Sequence, residues 1–306
     1  MIKPNLSVEI AGIKMRNPVM PASGCFGFGE EYAPFIDINK LGAVVVKSVT
    51  LKPTIGNKPP RLCETPAGML NAIGWQNPGL DVFLKEKLPY LRQFKTPVLV
   101  NLAGRTVNEY AELAAALEGV EGLAGLELNI SCPNVEEGGV AFGTDPDLAA
   151  KVTSAVKEKT SLPLIVKLSP NVTDIARIAL AIEKAGADAI SLVNAFTGMA
   201  IDIHTQRPVL GNITGGLTGP AIKPIAVYMV WRVARVVKVP VIGIGGIFRA
   251  EDAIEFFLAG ARAVAVGLGN FVRPGVMLDI IEGIEKYLTE KGIDDINQIV
   301  GALNLD

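Results

Sequence analysis

The chain has little of what an extracellular or metal-dependent protein requires. Its 306 residues include three cysteines, Cys25, Cys63 and Cys132, with no C-x-x-C spacing. An odd, scattered set is a poor disulfide framework, so reduced thiols are expected. Three thiolates also fall short of the four that hold an iron–sulfur cluster. The single histidine, His204, excludes a histidine-based metal site and reads as a surface or turn residue, so no metal site is expected. No apolar run reaches 18 residues, and the opening MIKPNLSVEI lacks the apolar stretch of a secretory signal. The expectation is a cytoplasmic chain. Charge of one sign is also missing: 29 basic residues against 31 acidic ones leave −2, too little field to recruit nucleic acid or an anionic membrane.

What is present is an ordinary enzyme composition, 49% hydrophobic with 32 Gly and 20 Pro, which excludes disorder. The length fits two average domains or one large barrel. Eight β-branched runs recur, at 18–22, 43–49, 97–103, 125–131, 163–169, 189–195, 239–246 and 263–269, each followed by a stretch of helical period. Leu148, Val152, Ala155 and Val156 share one helical face, as do Ile175, Ile178, Ala179 and Ile182. Asp145 before Pro146 reads as an N-cap, and Gly186 and Gly260 as helix-terminating glycines. Near-continuous apolar strands alternating with helices imply a parallel sheet covered by helices, and eight of them favour a closed (β/α)8 TIM barrel over an open doubly wound sheet. We take residues 1–306 as one such domain, with an N-terminal hairpin around Ala11 and Gly12 plugging the barrel bottom.

The spacings after strands 2 and 6 are about twice the others, the excess lying at 50–77 and 196–218. Connections that follow strands emerge at the C-terminal face, where barrels keep their chemistry, so both insertions are expected to roof the site. The second, containing MAIDIHTQRPVLGN, has the alternation of an extra hairpin.

The strand ends carry Ser23, Lys47 and Ser48, Asn101, Asn129 with Cys132 beyond it, Lys167, Asn194, Gly245 and Gly246, and Gly267. Polar side chains dominate the first six ends and glycines the last two. That is the division expected when backbone N–H groups after strands 7 and 8 hold a phosphate. Lys167 ends the apolar strand LPLIVKLS, and its ammonium must meet a counter-charge or a ligand. A structural ion pair, a Schiff base and a cation set against an electron-rich cofactor ring all remain open. Lys47 poses the same question, and two such lysines facing one cavity fit an anionic ligand. Cys132, at the rim and with no histidine to deprotonate it, suits a general base better than a protease-like nucleophile. Cys25 and Cys63 read as structural. The amides of Asn71, Asn101, Asn129, Asn134 and Asn194 suit a flat ring bearing amide and carbonyl groups.

The motifs PASGCFGFGEEY, ETPAGMLNAIGWQNPGL, ELNISCPNVEEGG, VKLSPNVTDI and GIGGI together resemble those of the class 1B dihydroorotate dehydrogenases, FMN-containing catalytic subunits of pyrimidine biosynthesis, over nearly the whole chain. Cysteine in the S-C-P-N motif resembles class 1 rather than the membrane-associated class 2. The resemblance implies that Cys132 removes the C5 proton of dihydroorotate while C6 passes a hydride to FMN N5. It implies that Lys167 stabilises charge at flavin N1 and C2. Ser23, Ser48, Asn101, Asn129, Val193 and Gly219 would hold the flavin, and Gly245, Gly246, Gly267 and Leu268 its phosphate. Lys47 would meet flavin and substrate; Asn71, Ala72, Ile73, Gly74, Trp75, Asn129, Asn134, Asn194 and Ala195 would surround the pyrimidine. Ala195 departs from the hydroxyl residue common at that position, which removes one substrate hydrogen bond. The resemblance also implies a homodimer joined by two electron-transfer subunits carrying FAD and [2Fe–2S], with NAD⁺ as acceptor. This agrees with the missing four-cysteine set and the missing G-x-G-x-x-G. The rival readings are the fumarate-using class 1A enzyme, a flavin-free Schiff-base lyase on Lys167, and a flavin barrel acting on tRNA, the last disfavoured by the near-neutral charge.

Overall fold

The computed structural model of the chain describes residues 3–131 and 139–305, with 139–141 described by backbone only. Eight short strands form one sheet: β1 (Val19–Pro21), β2 (Val44–Val45), β3 (Val98–Leu102), β4 (Gly125–Asn129), β5 (Leu164–Lys167), β6 (Ala189–Leu192), β7 (Val241–Ile244) and β8 (Ala263–Val266). They pair in parallel, in sequence from β2 to β8 and on to β1. β1 and β2 share no ladder, but the Gly42 N–H donates to the Val19 carbonyl at 2.9 Å. A Cβ on Gly42 would lie 2.0 Å from the Asn17 carbonyl oxygen, so only glycine lets the sheet approach closure. The TIM barrel expected from the eight runs is the architecture observed.

Individual strands are shorter than the apolar runs, and β2 shows why. Val46 and Val49 still donate to Leu99 and Asn101, whereas the Lys47 N–H turns away to the Gly27 carbonyl at 2.9 Å. The ladder ends where the chain delivers Lys47 and Ser48 to the barrel mouth.

The helices follow their caps. Asp145 accepts from the N–H groups of Asp147 and Leu148 (2.9 and 2.8 Å) and opens Pro146–Lys157. Its buried face is Ala149, Val152, Thr153 and Val156, with Leu148 exposed, which corrects the stripe expected from the sequence. Thr153 turns inward because its hydroxyl donates to the Ala149 carbonyl at 2.7 Å, so a polar residue is satisfied on the core face. In Ile175–Lys184 the apolar stripe is buried as expected. Gly186 and Gly260 adopt φ of 101° and 111° just beyond their helices.

The strands Val8–Ile10 and Ile13–Met15 form the N-terminal hairpin through Ala11 and Gly12, both at positive φ. Ile13 packs beneath Gly125, the first residue of β4, which puts the hairpin at the barrel's N-terminal end. At the other end both insertions fold into β structure. Phe196–Gly198, Gly215–Thr218, Gly68–Asn71 and Leu62–Thr65 join, in that order, into one antiparallel sheet. A smaller hairpin, Ile201–Asp202 with Arg207–Pro208, carries His204 exposed in its turn. Among the described residues no helix is long and apolar enough to cross a membrane.

Candidate active site

Strand alternation decides which residues the roof turns toward the barrel mouth. Along Gly68–Asn71 and its continuation, Met69, Asn71 and Ile73 line a cavity of about 320 Å³ between roof and barrel. Leu70 and Ala72 face the other way and pack with Leu210 in a small core of the roof. Of the residues singled out from the sequence, Ser23, Lys47, Ser48, Asn71, Ile73, Gly74, Trp75, Asn129, Lys167, Val193, Asn194, Ala195, Gly219, Gly245, Gly246, Gly267 and Leu268 all line this cavity. Cys132 and Asn134 lie outside the described residues.

Two expected residues do not line it. Ala72 is turned away by the alternation just described, and only its N–H is engaged, donating to the Arg61 carbonyl at 2.8 Å. Asn101 is fully buried beneath the floor. Its side chain accepts from Ser48 and donates to Ser23 (3.2 Å) and Glu127 (2.6 Å), so it supports cavity-lining hydroxyls from below.

The lining holds two ammonium groups, Lys47 and Lys167, and no carboxylate among the described residues. Lys167 is 4% exposed, yet among the described residues it makes one hydrogen bond, to Ser23 Oγ at 2.9 Å. An ammonium has three protons to donate, so this buried cation has capacity for a ligand acceptor. Asn129 Nδ2 reaches Ser48 Oγ (3.3 Å) and Asn101 Oδ1 (3.4 Å), while Tyr110 clamps its backbone by donating to its carbonyl at 2.6 Å. Ser131, fully buried, is held from two sides. Its hydroxyl donates to Asn129 Oδ1 at 3.3 Å, and its carbonyl and hydroxyl oxygens accept from Asn194 Nδ2 at 3.1 and 3.0 Å.

In the same lining, the N–H groups of Gly245, Gly246, Gly267 and Leu268 have no protein acceptor among the described residues. Gly246, at φ 70°, passes so near Lys223 and Gly219 that a Cβ would come within 2.7 Å of the Lys223 Cβ. A Cβ on Gly267 would meet nothing closer than Cys25 Sγ at 3.7 Å, so it would project into the cavity. Unpaired N–H groups over a glycine cradle, with two cations in the same lining, are a donor set for an anion bearing a phosphate and an electron-rich ring. A further orphan is the Trp75 indole N–H, buried without a partner among the described residues.

Cys25, expected to be structural, lines the same cavity. Burial pushes its thiol pKa up, and Lys167 and Lys47 pull it partly back, so the thiol senses both cations. Sequence reasoning also passed over Met69, Leu62, Thr218 and Phe271 in the lining. Only their positions beside recognised residues, two apart in a strand or next to a glycine turn, signalled them.

Comparison with known proteins adds an independent finding. Residues 5–288 match the family model described as dihydroorotate dehydrogenase. The chain is 59% identical over 303 residues to a protein of Geotalea uraniireducens (strain Rf4), covering 99% of each chain. It is 58% identical over 301 residues to one of Desulforudis audaxviator (strain MP104C), covering 98% of each. With a third, from Desulforamulus reducens (strain ATCC BAA-1160 / DSM 100696 / MI-1), it shares 56% identity over 304 residues, 99% of this chain and 100% of the relative. All three are named dihydroorotate dehydrogenase B (NAD(+)), catalytic subunit.

Proposed function

This chain belongs to the dihydroorotate dehydrogenase family, and we propose that within it the chain is the FMN-dependent catalytic subunit that oxidises (S)-dihydroorotate to orotate in the de novo route to UMP. It is an oxidoreductase of the NAD⁺-linked type. The balanced reaction takes dihydroorotate and NAD⁺ to orotate, NADH and a proton. The single observation that carries the site reading is that, among the described residues, the Lys167 ammonium has one partner in a carboxylate-free lining that also holds four unpaired backbone N–H groups.

FMN, when bound, supplies the hydride acceptor. The residues of this chain do the rest. Gly245, Gly246, Gly267 and Leu268 would offer N–H groups to the phosphate, and Gly219 would help hold the flavin as part of the cavity lining. Lys167 would stabilise the negative charge that develops at the N1 and C2 edge of the ring. Ser23 accepts from Lys167 and from Asn101 Nδ2, which leaves its own proton to donate into the cavity. Lys47, in the same lining, would meet both flavin and substrate. Asn71, the 73–75 segment, Asn129, Asn134 and Asn194 surround the pyrimidine, and Ala195 offers it no hydroxyl. Cys132 takes the C5 proton. Its preceding residue, Ser131, is held by Asn129 and Asn194, two of the amides proposed to meet the substrate.

Electrons leave for NAD⁺ through a partner subunit carrying FAD and a [2Fe–2S] cluster, on a homodimer of this chain that takes up two such partners in the cytoplasm. The test is Cys132→Ala. FMN stays bound, and anaerobic flavin reduction by dihydroorotate slows by about 10²- to 10⁴-fold, the usual worth of a general base. Reduction at the wild-type rate would remove Cys132 from the reaction.

A further inference from the structure

Among the described residues three charged side chains are buried to 5% exposure or less: Glu127, Lys167 and Asp252. Asp252 has a direct ionic partner, Lys223 at 2.8 Å. Glu127 and Lys167 take part in no ion pair among the described residues. A buried charge without a counter-charge is costly, and the pairing of these two is indirect. Lys167 Nζ donates to Ser23 Oγ (2.9 Å), Asn101 Nδ2 donates to the same oxygen (3.2 Å), and Asn101 Nδ2 also donates to Glu127 Oε2 at 2.6 Å. Ser191 Oγ donates to the other carboxylate oxygen at 2.8 Å. Both oxygens accept and neither donates, the pattern of an ionised carboxylate.

The register explains the arrangement. Asn129 of β4 is paired with Lys167 of β5, so Glu127 is one inward-facing position lower, in the barrel interior beneath the cavity floor. Asn101 of β3 is paired with Glu127 and Ser191 of β6 with Lys167, and both side chains reach the carboxylate. The two charges therefore form a dipole, its ammonium end in the cavity lining and its carboxylate end under the floor, with one hydroxyl and one amide between. A direct pair would have quenched the cation; a fully absent carboxylate would have left it uncompensated.

We propose that Glu127 is a positioning residue for the redox reaction: through Asn101 and Ser23 it anchors Lys167, and its charge limits how strongly the site favours the reduced cofactor. This rests on the reading of the cavity as an FMN site. Glu127→Gln keeps the size and a donor–acceptor pair for Asn101 and Ser191 and removes only the opposing charge.

The readout is the midpoint potential of the FMN-loaded chain without substrate, by dye-equilibrated spectrophotometric titration at pH 7. Glu127→Gln is expected to raise the reduced-to-oxidised ratio at fixed potential about tenfold, which for two electrons is about 30 mV upward. Glu127→Asp keeps the charge and is expected to stay within about twofold of wild type. Ser191→Ala, which strips a donor from the carboxylate and leaves its charge less compensated, shifts the ratio about two- to threefold the other way and carries the test where Glu127→Gln does not fold. A purely structural role predicts the reverse ranking, Asp disruptive and Gln silent. An unchanged or lowered potential in Glu127→Gln, or an unmoved potential in Ser191→Ala, overturns the proposal. A wild-type chain that takes up no FMN overturns the site reading itself and this inference with it.

Discussion

Replacing Lys167 by methionine isolates what a buried ammonium contributes when it has only one protein partner among the described residues. The side chain is 4% exposed, and methionine fills nearly the same volume as the aliphatic stem, so no cavity opens. Ser23 Oγ keeps its bond from Asn101 Nδ2 at 3.2 Å, so no buried polar atom is orphaned. Lys167 is in no direct ion pair, so its loss costs less than the 3–5 kcal/mol typical of breaking one, and what it does cost is the indirect counter-charge of the buried Glu127. Apoprotein stability should change by less than about 2 kcal/mol. At roughly 2.1 cal/mol/K per residue over this length, that is a melting shift of about 3 °C at most. The reaction should lose far more. A unit charge about 4 Å from developing negative charge is worth about 4 kcal/mol at an effective dielectric constant near 20, and deleting a preorganised charge-stabilising donor costs about 10²- to 10³-fold in rate. The assay is anaerobic stopped-flow reduction of the FMN-saturated variant by dihydroorotate, with a melting curve of the apoprotein alongside. Reduction within threefold of wild type, flavin bound, would refute the placement of the cation against the ring. A melting loss of about 10 °C would instead make Lys167 a structural residue.

Gly267 and Gly246 separate ligand space from backbone strain. Gly267→Ala adds a methyl group that meets no protein atom closer than 3.7 Å, so the melting temperature of the apoprotein should hold while FMN affinity drops by about tenfold or more in fluorescence titration; equal affinity would show that the cradle holds nothing. Gly246→Ala, at φ 70° with its Cβ 2.7 Å from that of Lys223, should lower both stability and affinity, by about 1–3 kcal/mol in stability. Tyr32 supplies a pH dependence: burial, then the nearby Cys25 and Glu31, push its phenol up to about 12. A group raised in the folded state gives stability that is whole below its unfolded pKa near 10 and fades as pH rises toward 12. Denaturant midpoints of wild type and Tyr32→Phe should therefore converge across that window; a constant gap would contradict the shift.

The fold was legible because its signals are periodic and local. Eight apolar runs, the N-cap at Asp145 and the glycines at 186 and 260 each report a backbone requirement that does not depend on distant residues. The roof was legible as excess length. Its sheet was not, because Gly215–Thr218, the partner of Phe196–Gly198, pairs with Gly68–Asn71 across more than a hundred residues, and no local pattern encodes that register. Strand ends pointed to most of the cavity lining, since in a barrel an end is also a place. Ala72 and Asn101 fell outside it for opposite reasons: alternation turned the first away, and one layer of depth put the second under the floor.

Depth is also why Glu127 escaped notice while Lys167 did not. Both are charges inside apolar strands, at positions two apart in the paired β4 and β5 frame. Lys167 ends its strand, so a strand-end rule finds it; Glu127 is followed by Leu128 and Asn129 before β4 closes. The rule ranks residues by access to ligand, whereas the energy of a buried cation depends equally on what lies behind it. A charge at the lining requires a compensating group in the next layer down, and the strand pairing fixes where to look. Applied to this barrel, that requirement leads from Lys167 through Ser23 and Asn101 to Glu127, by hydrogen bonds of 2.9, 3.2 and 2.6 Å. The lower layer is then part of the site's electrostatics, although it touches no ligand.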